Sequence, residues 1–353
     1  LYRYPRDDMV PPAETPARWL RRLTWQGAQQ RYARRIPHKI RAQLGFELAL
    51  IEELQYEMFF ITVHDIVRFA NQEKILCQGR GSAANSVVCY CLGITAINPA
   101  ESKLLFERFI SRERSEPPDI DVDFEHERRE EVIQYIYRKY GHDRTAIAAT
   151  IISYRPRSAI RDVGKALAME PELIDQFAKE HFWFDGSEVL REKIRQAGLA
   201  GREGPVLQWL DLSAQLIGFP RHLSQHVGGF VLTQGKLTRL VPVQPASMED
   251  RRIIQWDKDD LEAMGLLKVD VLALGMLSAI RRCLALVNQT RGRQLEMHQV
   301  KPDDKTYDMI CAADTVGVFQ IESRAQMSML PRLQPRSYYD LVVEVAIVRP
   351  GPI

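Results

Sequence analysis

The run Pro117-Pro-Asp-Ile-Asp-Val-Asp-Phe124 leaves this chain few ways to fold. Acidic and apolar residues alternate strictly from Asp119 to Phe124, and a period of two belongs to a strand with only one buried face. Asp119, Asp121 and Asp123 then share one face, and Ile120, Val122 and Phe124 share the other. Side chains two apart on a strand sit about 6.6 Å apart. Three carboxylates so placed repel one another unless water or divalent cations neutralise them. The apolar face ties the strand to a core, so the acidic face reads as a cation site; a fully wet edge is the alternative.

A second strand pattern bears on the same point. Leu266-Leu-Lys-Val-Asp-Val-Leu272 is core-like with two charges, Lys268 and Asp270, two apart and hence on one face. Alone this is an ordinary ion pair. Beside the first strand, Asp270 completes a carboxylate cluster and Lys268 meets an anionic substrate. Oxygen donors suit Mg²⁺ or Mn²⁺. Two such ions, one activating the attacking oxygen and one stabilising the leaving oxygen, are the arrangement for phosphoryl or nucleotidyl transfer.

Gln78-Gly-Arg-Gly-Ser82 lies between an expected strand at Ile75–Cys77 and an expected apolar helix at Ala83–Leu92. Small residues ahead of a helix N-terminus let backbone N–H groups approach a phosphate. The segment also fits a relaxed dinucleotide fingerprint, but the largely helical residues before it are not the βαβ unit that fingerprint requires. No GxxxxGK[ST] occurs, which excludes a standard P-loop. Arg108, Arg112 and Arg114 precede the acidic strand, and Arg157, Arg161 and Lys165 recur every four residues as one helical stripe, either solvated or phosphate-tracking. His222 and His226 precede a Gly-Gly that reads as a turn before a strand. His64-Asp65, with His38 upstream, is an HD element of the kind used by metal-dependent phosphohydrolases.

The remaining pattern sets the organisation. Residues 17–70 are helical with a break near Pro37, Arg128–Tyr140 is an amphipathic helix stopped by Gly141, and Thr145–Ile152 is a strand. Residues 156–214 read as helices broken at Gly186 and at 198–204. Strands return at Gly229–Leu232 and 266–272, and helices follow Gly275. The class is α+β: a core of residues 75–152 and 226–275 interrupted by a helical insertion. The chain has 353 residues, 45% of them hydrophobic, which excludes a disordered chain, and no apolar run is long enough to span a bilayer. Five cysteines without a CxxC indicate a reduced, cytoplasmic protein. A start at Leu1 and a stop at Ile353 read as a fragment. A formal charge of +2 neither demands nor excludes a nucleic-acid partner.

Taken in order, GRGS at 79–82, LLFERFI at 104–110, PDIDVDF at 118–124, IRDVG at 160–164, HVGG at 226–229, QWDKDD at 255–260, KVDVL at 268–272, FQIES at 319–323 and RPGPI at 349–353 resemble the bacterial C-family DNA polymerases, the family of the polymerase III alpha subunit. Within it the chain looks most like the error-prone, damage-inducible branch, on Ser224-Gln-His-Val-Gly-Gly229, residues 125–131 and residues 323–329. Ala83-Ala84-Asn85 departs from the replicative pattern, which tends to have Gly-Ala-Gly after the Gly-Ser.

The resemblance implies a palm related to the polymerase beta nucleotidyltransferases over 1–152 and 226–275, a thumb at 153–225 and the start of the fingers at 276–353. It implies catalytic carboxylates at Asp121, Asp123 and Asp270 holding two Mg²⁺ ions, with Asp119 not counted as a ligand. It also implies contacts from Gly81, Ser82, Arg80 and Lys268 to the incoming nucleotide, and from Arg157, Arg161 and Lys165 to DNA. The expected reaction is attack of a primer 3′-OH on a dNTP in error-prone translesion synthesis. The family further implies a PHP domain before this segment, and helix-hairpin-helix and OB regions after it, with sliding-clamp and accessory mutagenesis partners through regions absent here. An HD-type phosphohydrolase and a non-catalytic DNA-binding module are the competing readings.

Overall fold

The computed structural model describes residues 4–33, 35–99, 106, 109–110, 112, 118–179, 203–266 and 268–348. In chain order the helices are α1 (Pro16–Arg31), α2 (His38–Glu53), α3 (Glu57–Gln72), α4 (Val87–Cys91), α5 (Arg129–Tyr140), α6 (Pro156–Ala166), α7 (Pro171–Lys179), α8 (Glu203–Leu216), α9 (Lys258–Ala263), α10 (Gly275–Arg291), α11 (Asp304–Cys311), α12 (Arg324–Leu333) and α13 (Tyr338–Ile347). The strands are β1 (Cys77–Arg80), β2 (Asp121–Glu125), β3 (Thr145–Ser153), β4 (Pro220–Leu232), β5 (Val243–Pro245), β6 (Arg252–Ile254) and β7 (Val269–Leu274).

Local chemistry accounts for the element ends. Thr15 caps α1 by accepting from Arg18 N at 3.2 Å, with Pro16 at the first helical position. Leu20, Thr24 and Ala28, four apart, are its buried stripe. Helix α5 opens with Glu130 and Glu131, closes with Arg138 and Lys139, and stops at Gly141, whose φ of +88° few other residues adopt.

The strands form one mixed sheet in the order β1-β2-β7-β4-β3-β6-β5. β1 and β2 are antiparallel, β2 and β7 parallel, β7 and β4 antiparallel, β3 and β6 parallel, and β6 and β5 antiparallel. The chain divides into two compact units. The first comprises Leu1–Ala148, Val227–Ile254 and Asp260–Ile353; the second comprises Ala149–His226 and Gln255–Asp259. The first unit's core joins α1–α5 to the buried faces of β2 and β7, with Phe59, Phe60, Ile120, Val122, Phe124, Ile136 and Val271 fully buried. The second has its own centre at Trp209, whose indole N–H donates to Ile160 O at 2.9 Å beside Phe177 and Ile174. Gly164 belongs to that packing: a Cβ there would lie 2.9 Å from Ile174 and 3.0 Å from Trp209.

Three expectations change. The strand expected at Ile75–Cys77 starts at Cys77 and runs through the glycine-bearing segment to Arg80. The helix expected at Ala83–Leu92 is a 3-10 turn over Gly81–Asn85 and then the five-residue α4, with Ser86 extended between them. Gly228-Gly229 is no turn but lies inside the 13-residue β4. A Cβ on Gly228 would overlap the carbonyl of Val271, so glycine is there to let β4 approach β7. The helix breaks expected at Gly186 and 198–202, most of 104–110, Arg108, Arg114 and 349–353 lie outside the described residues.

Candidate metal centre

Sheet register assembles the centre. In the parallel β2–β7 pair Asp121 stands opposite Asp270, and in the antiparallel β1–β2 pair Arg80 stands opposite Asp121. Gly229 of β4 stands opposite Asp270 on its other side. Arg80, Asp121, Asp270 and Gly229 therefore occupy one row across four strands. Directly opposed side chains on neighbouring strands lie on the same face with Cβ atoms about 5 Å apart. Residues 149 positions apart in sequence, Asp119 and Lys268, are brought into contact by the same pairing.

Carboxylate oxygens of Asp119, Asp121 and Asp270 all lie within 4.8 Å of one another. Asp270 is buried, Asp121 half-buried and Asp119 exposed. Burial pushes the Asp121 carboxyl above the usual range, and the neighbouring Asp270 carboxylate adds to the rise through hydrogen bonding and like charge. Arg80 and Lys268 oppose it. The donor set is all oxygen and all anionic, with like charges in contact, which is the set a hard divalent cation stabilises. The triad fits a metal.

Two cationic side chains, a largely buried Lys268 and an exposed Arg80, flank these acids. Lys268 Nζ pairs with Asp270 Oδ2 and reaches Asp119 Oδ1 at 3.3 Å. Its burial works against the charge, but those carboxylates hold the ammonium above its ordinary pKa. Arg80 spans Asp121 at 3.5 Å and Asp123 at 3.6 Å. Asp123 is buried, and that burial raises its pKa against the pull of Arg80. Thus all four aspartates and both expected nucleotide-site cations meet here. The described triad, however, contains Asp119, which the family pattern leaves out, while Asp123 stands beside it on Arg80. The strand alternation already put Asp119 on this face.

The glycine segment has two kinds of glycine. Gly79 is a packing glycine: its N–H donates to Ile94 O at 2.6 Å, and a Cβ would meet that oxygen at 2.8 Å. Gly81 is a conformational one, with φ +68° and open space around it. Ser82 follows, half-buried in the 3-10 turn. The nearby helix N-terminus does not face a ligand. Glu47 of α2, fully buried, accepts from Ser86 Oγ at 2.8 Å, Val87 N at 3.1 Å and Val88 N at 3.0 Å. A protein carboxylate thus closes the α4 N-terminus, while Gly81 and Ser82 lie ahead of it in the 3-10 turn. Glu47 carried no signal beyond being an acid at an apolar helical position.

The HD element is held in structural contacts. His64 Nδ1 lies 2.8 Å from Leu92 O, and burial lowers its pKa. Asp65 is a buried hub accepting from Arg68 at 2.7 Å, Lys139 at 2.6 Å, Tyr135 at 2.8 Å and Tyr140 at 2.5 Å. His38 is exposed. His222 and His226 sit four apart on β4, about 13 Å along a strand, too far to share one ion. On α6, Arg157 donates to Ala178 O at 3.1 Å and Arg161 pairs with Asp175 at 3.2 Å, leaving Lys165 exposed. Arg112 forms a bidentate pair with Glu53 at 2.8 Å.

Comparison with known proteins places the chain in a family. Residues 18–273 match the bacterial DNA polymerase III alpha NTPase domain, and residues 276–353 match the bacterial DNA polymerase III alpha subunit finger domain. The chain is 61% identical over 359 residues to a protein of Burkholderia mallei named error-prone DNA polymerase, covering 100% of this chain and 34% of that protein. It is 62% identical over 353 residues to proteins of the same name from Bordetella parapertussis and Teredinibacter turnerae, with the same coverage. The chain thus spans about a third of the length of these relatives. Matched from residue 18 to residue 353, the chain belongs to the bacterial DNA polymerase III alpha family.

Proposed function

We propose that this chain is the palm, inserted thumb and first part of the fingers of an error-prone DNA polymerase acting in translesion synthesis. The palm is of the polymerase beta-like nucleotidyltransferase kind, over 1–152 and 226–275, with the thumb at 153–225. The observation that carries the reading is the β2–β7 register, which sets Asp121 against Asp270 on adjacent strands of a mixed sheet. A buried acid set against a half-buried one and joined by a third carboxylate has little structural use and a direct use in phosphate chemistry.

In the proposed reaction the primer 3′-oxygen bonds to the α-phosphorus of a dNTP as the bond to pyrophosphate breaks. Asp121, Asp123 and Asp270 would hold two Mg²⁺ ions, replaceable by Mn²⁺, which supply acidification of the 3′-OH and neutralisation of phosphate charge. Lys268 and Arg80 stand ready to turn from the aspartates to the triphosphate, and Gly81 and Ser82 offer an open, small-residue edge for it. Arg157, Arg161 and Lys165 contact the DNA backbone, the first two by exchanging their present partners for phosphate. Primer–template DNA and dNTPs are the substrates. Sliding-clamp and accessory mutagenesis proteins are partners through other parts of such a polymerase, and the setting is the cytoplasm. Among the described residues no helix is long and apolar enough to cross a membrane.

Mn²⁺ titration followed by EPR tests the centre. Asp121→Asn and Asp270→Asn are expected to weaken binding at least tenfold, and in a full-length polymerase carrying this segment to abolish primer extension. Near-normal extension by either variant would overturn the reading. His64→Ala is expected to leave binding unchanged; loss of binding there alone would favour the phosphohydrolase.

A further inference from the structure

Residues 15–46 contain eight Lys and Arg and no Asp or Glu, although the whole chain is only +2. Nearly all of this charge lies on α1, on α2 and on the loop that joins them. The exposed stripe of α1 reads Arg18, Arg21, Arg22, Gln26, Gln29 and Gln30, and Arg35, Lys39 and Arg41 continue it into α2. Arg22 pairs with Glu14, and Arg41 bonds the carbonyl of Ile36 at 3.2 Å. Arg18, Arg21, Arg35 and Lys39 form no ion pair with a described residue. The three glutamines line an open cleft with Ala33.

Helix stability does not ask for this charge. Cations near a helix start oppose its dipole, and neither α1 nor α2 has an acid in its first turn. The same chain follows the favourable rule in α5, with acids first and bases last. Nor is the surface remote from the carboxylate strands: α1 packs on α4 closely enough that a Cβ on Gly27 would overlap Cys91 O, and α4 follows the Gly81–Asn85 turn that leaves β1.

We propose that the α1–α2 surface binds the phosphate backbone of DNA, as a second grip beside the one expected of α6. This inference rests on the polymerase reading for its choice of polyanion. The sixteen residues of α1 span about 24 Å, along which duplex DNA carries about seven phosphates per strand. Arginine forks supply phosphate contacts, and glutamine amides supply donors and acceptors that hold register without a charge.

The test is fluorescence anisotropy of a labelled primer–template duplex against this 353-residue chain over a range of KCl. The variants are Arg18→Gln/Arg21→Gln/Lys39→Gln and, separately, Arg157→Gln/Lys165→Gln. The triple variant is expected to keep its Tm, to bind at least tenfold more weakly at 50 mM salt, and to lower the slope of log affinity against log salt by about 2 to 3. Wild-type affinity and slope in the triple variant would overturn the proposal. So would unchanged DNA binding with loss of binding to polyglutamate or to anionic vesicles, which would make the surface a dock for an acidic protein or a membrane. Mn²⁺ titration of Asp270→Asn separates the two readings. A lost cation site in that variant with unaltered DNA binding in the triple variant would sink this inference and leave the polymerase standing.

Discussion

Asp270 is buried between two strands with Asp121 opposite and Lys268 folded back on it. Such a site is a stability liability, because the folded state holds like charges together. Asp121→Asn is therefore expected to raise Tm in EDTA while weakening Mn²⁺ binding, as read by thermal melts with and without the ion. Lys268→Met should do the opposite to stability without metal, because it strips a buried carboxylate of its counter-ion, at a cost of about 3–5 kcal/mol. Gly228 makes a second residue-scale prediction. Gly228→Ala pushes a methyl group into Val271 O, so the edge of β4 must move off β7. A loss of about 1–3 kcal/mol in urea unfolding and weaker Mn²⁺ binding should follow together.

At the scale of elements, two buried acids hold helices and titrate in opposite directions. Glu47 joins α2 to the start of α4, and its burial raises its pKa against four hydrogen bonds. Its folded value lies above its unfolded one, so its contribution is full at low pH and fades as pH rises through that value. Glu47→Gln sets an amide N–H against the α4 N–H groups and should cost about 1–3 kcal/mol by urea unfolding. Asp65 joins α3 to α5. Burial pushes its pKa up, but Lys139, Tyr140 and Arg68 outweigh it and hold the carboxyl below the usual value. Its contribution is present above the ordinary carboxylate range and is lost as pH falls below about 4. Asp65→Asn should lower Tm at neutral pH and flatten the acid limb of a Tm-against-pH curve.

For the whole molecule, the two units have separate hydrophobic centres. Trp209→Ala empties the middle of the helical one and should cost that unit about 3–5 kcal/mol. Calorimetry is expected to show an earlier transition for it, while Mn²⁺ affinity, which belongs to the β2–β7 register, stays as in the wild type. A single transition shifted as a block, with the cation site lost, would show the two units to unfold as one.

The amino-acid sequence by itself determined everything that depends on local period and residue type. The alternation at 119–124 specifies an acidic face, the acid-first, base-last order of 129–140 specifies a helix, and the ordered motifs specify the family. Those signals are local because side-chain direction along a strand or helix repeats over two to four residues. Only the tertiary structure decided which acids meet. Pairing of β2 with β7 in one register chose Asp119 as well as Asp121 to face Asp270, and a one-residue slip would have turned each of them away. It alone gave the Gly228-Gly229 pair to a strand, because the need for glycine there comes from a carbonyl on another strand. It alone closed the α4 N-terminus with Glu47, forty residues earlier in the chain, and turned His64-Asp65 from a suggestion of chemistry into a structural hub. Long-range contacts made these choices, and no short stretch of sequence carries them.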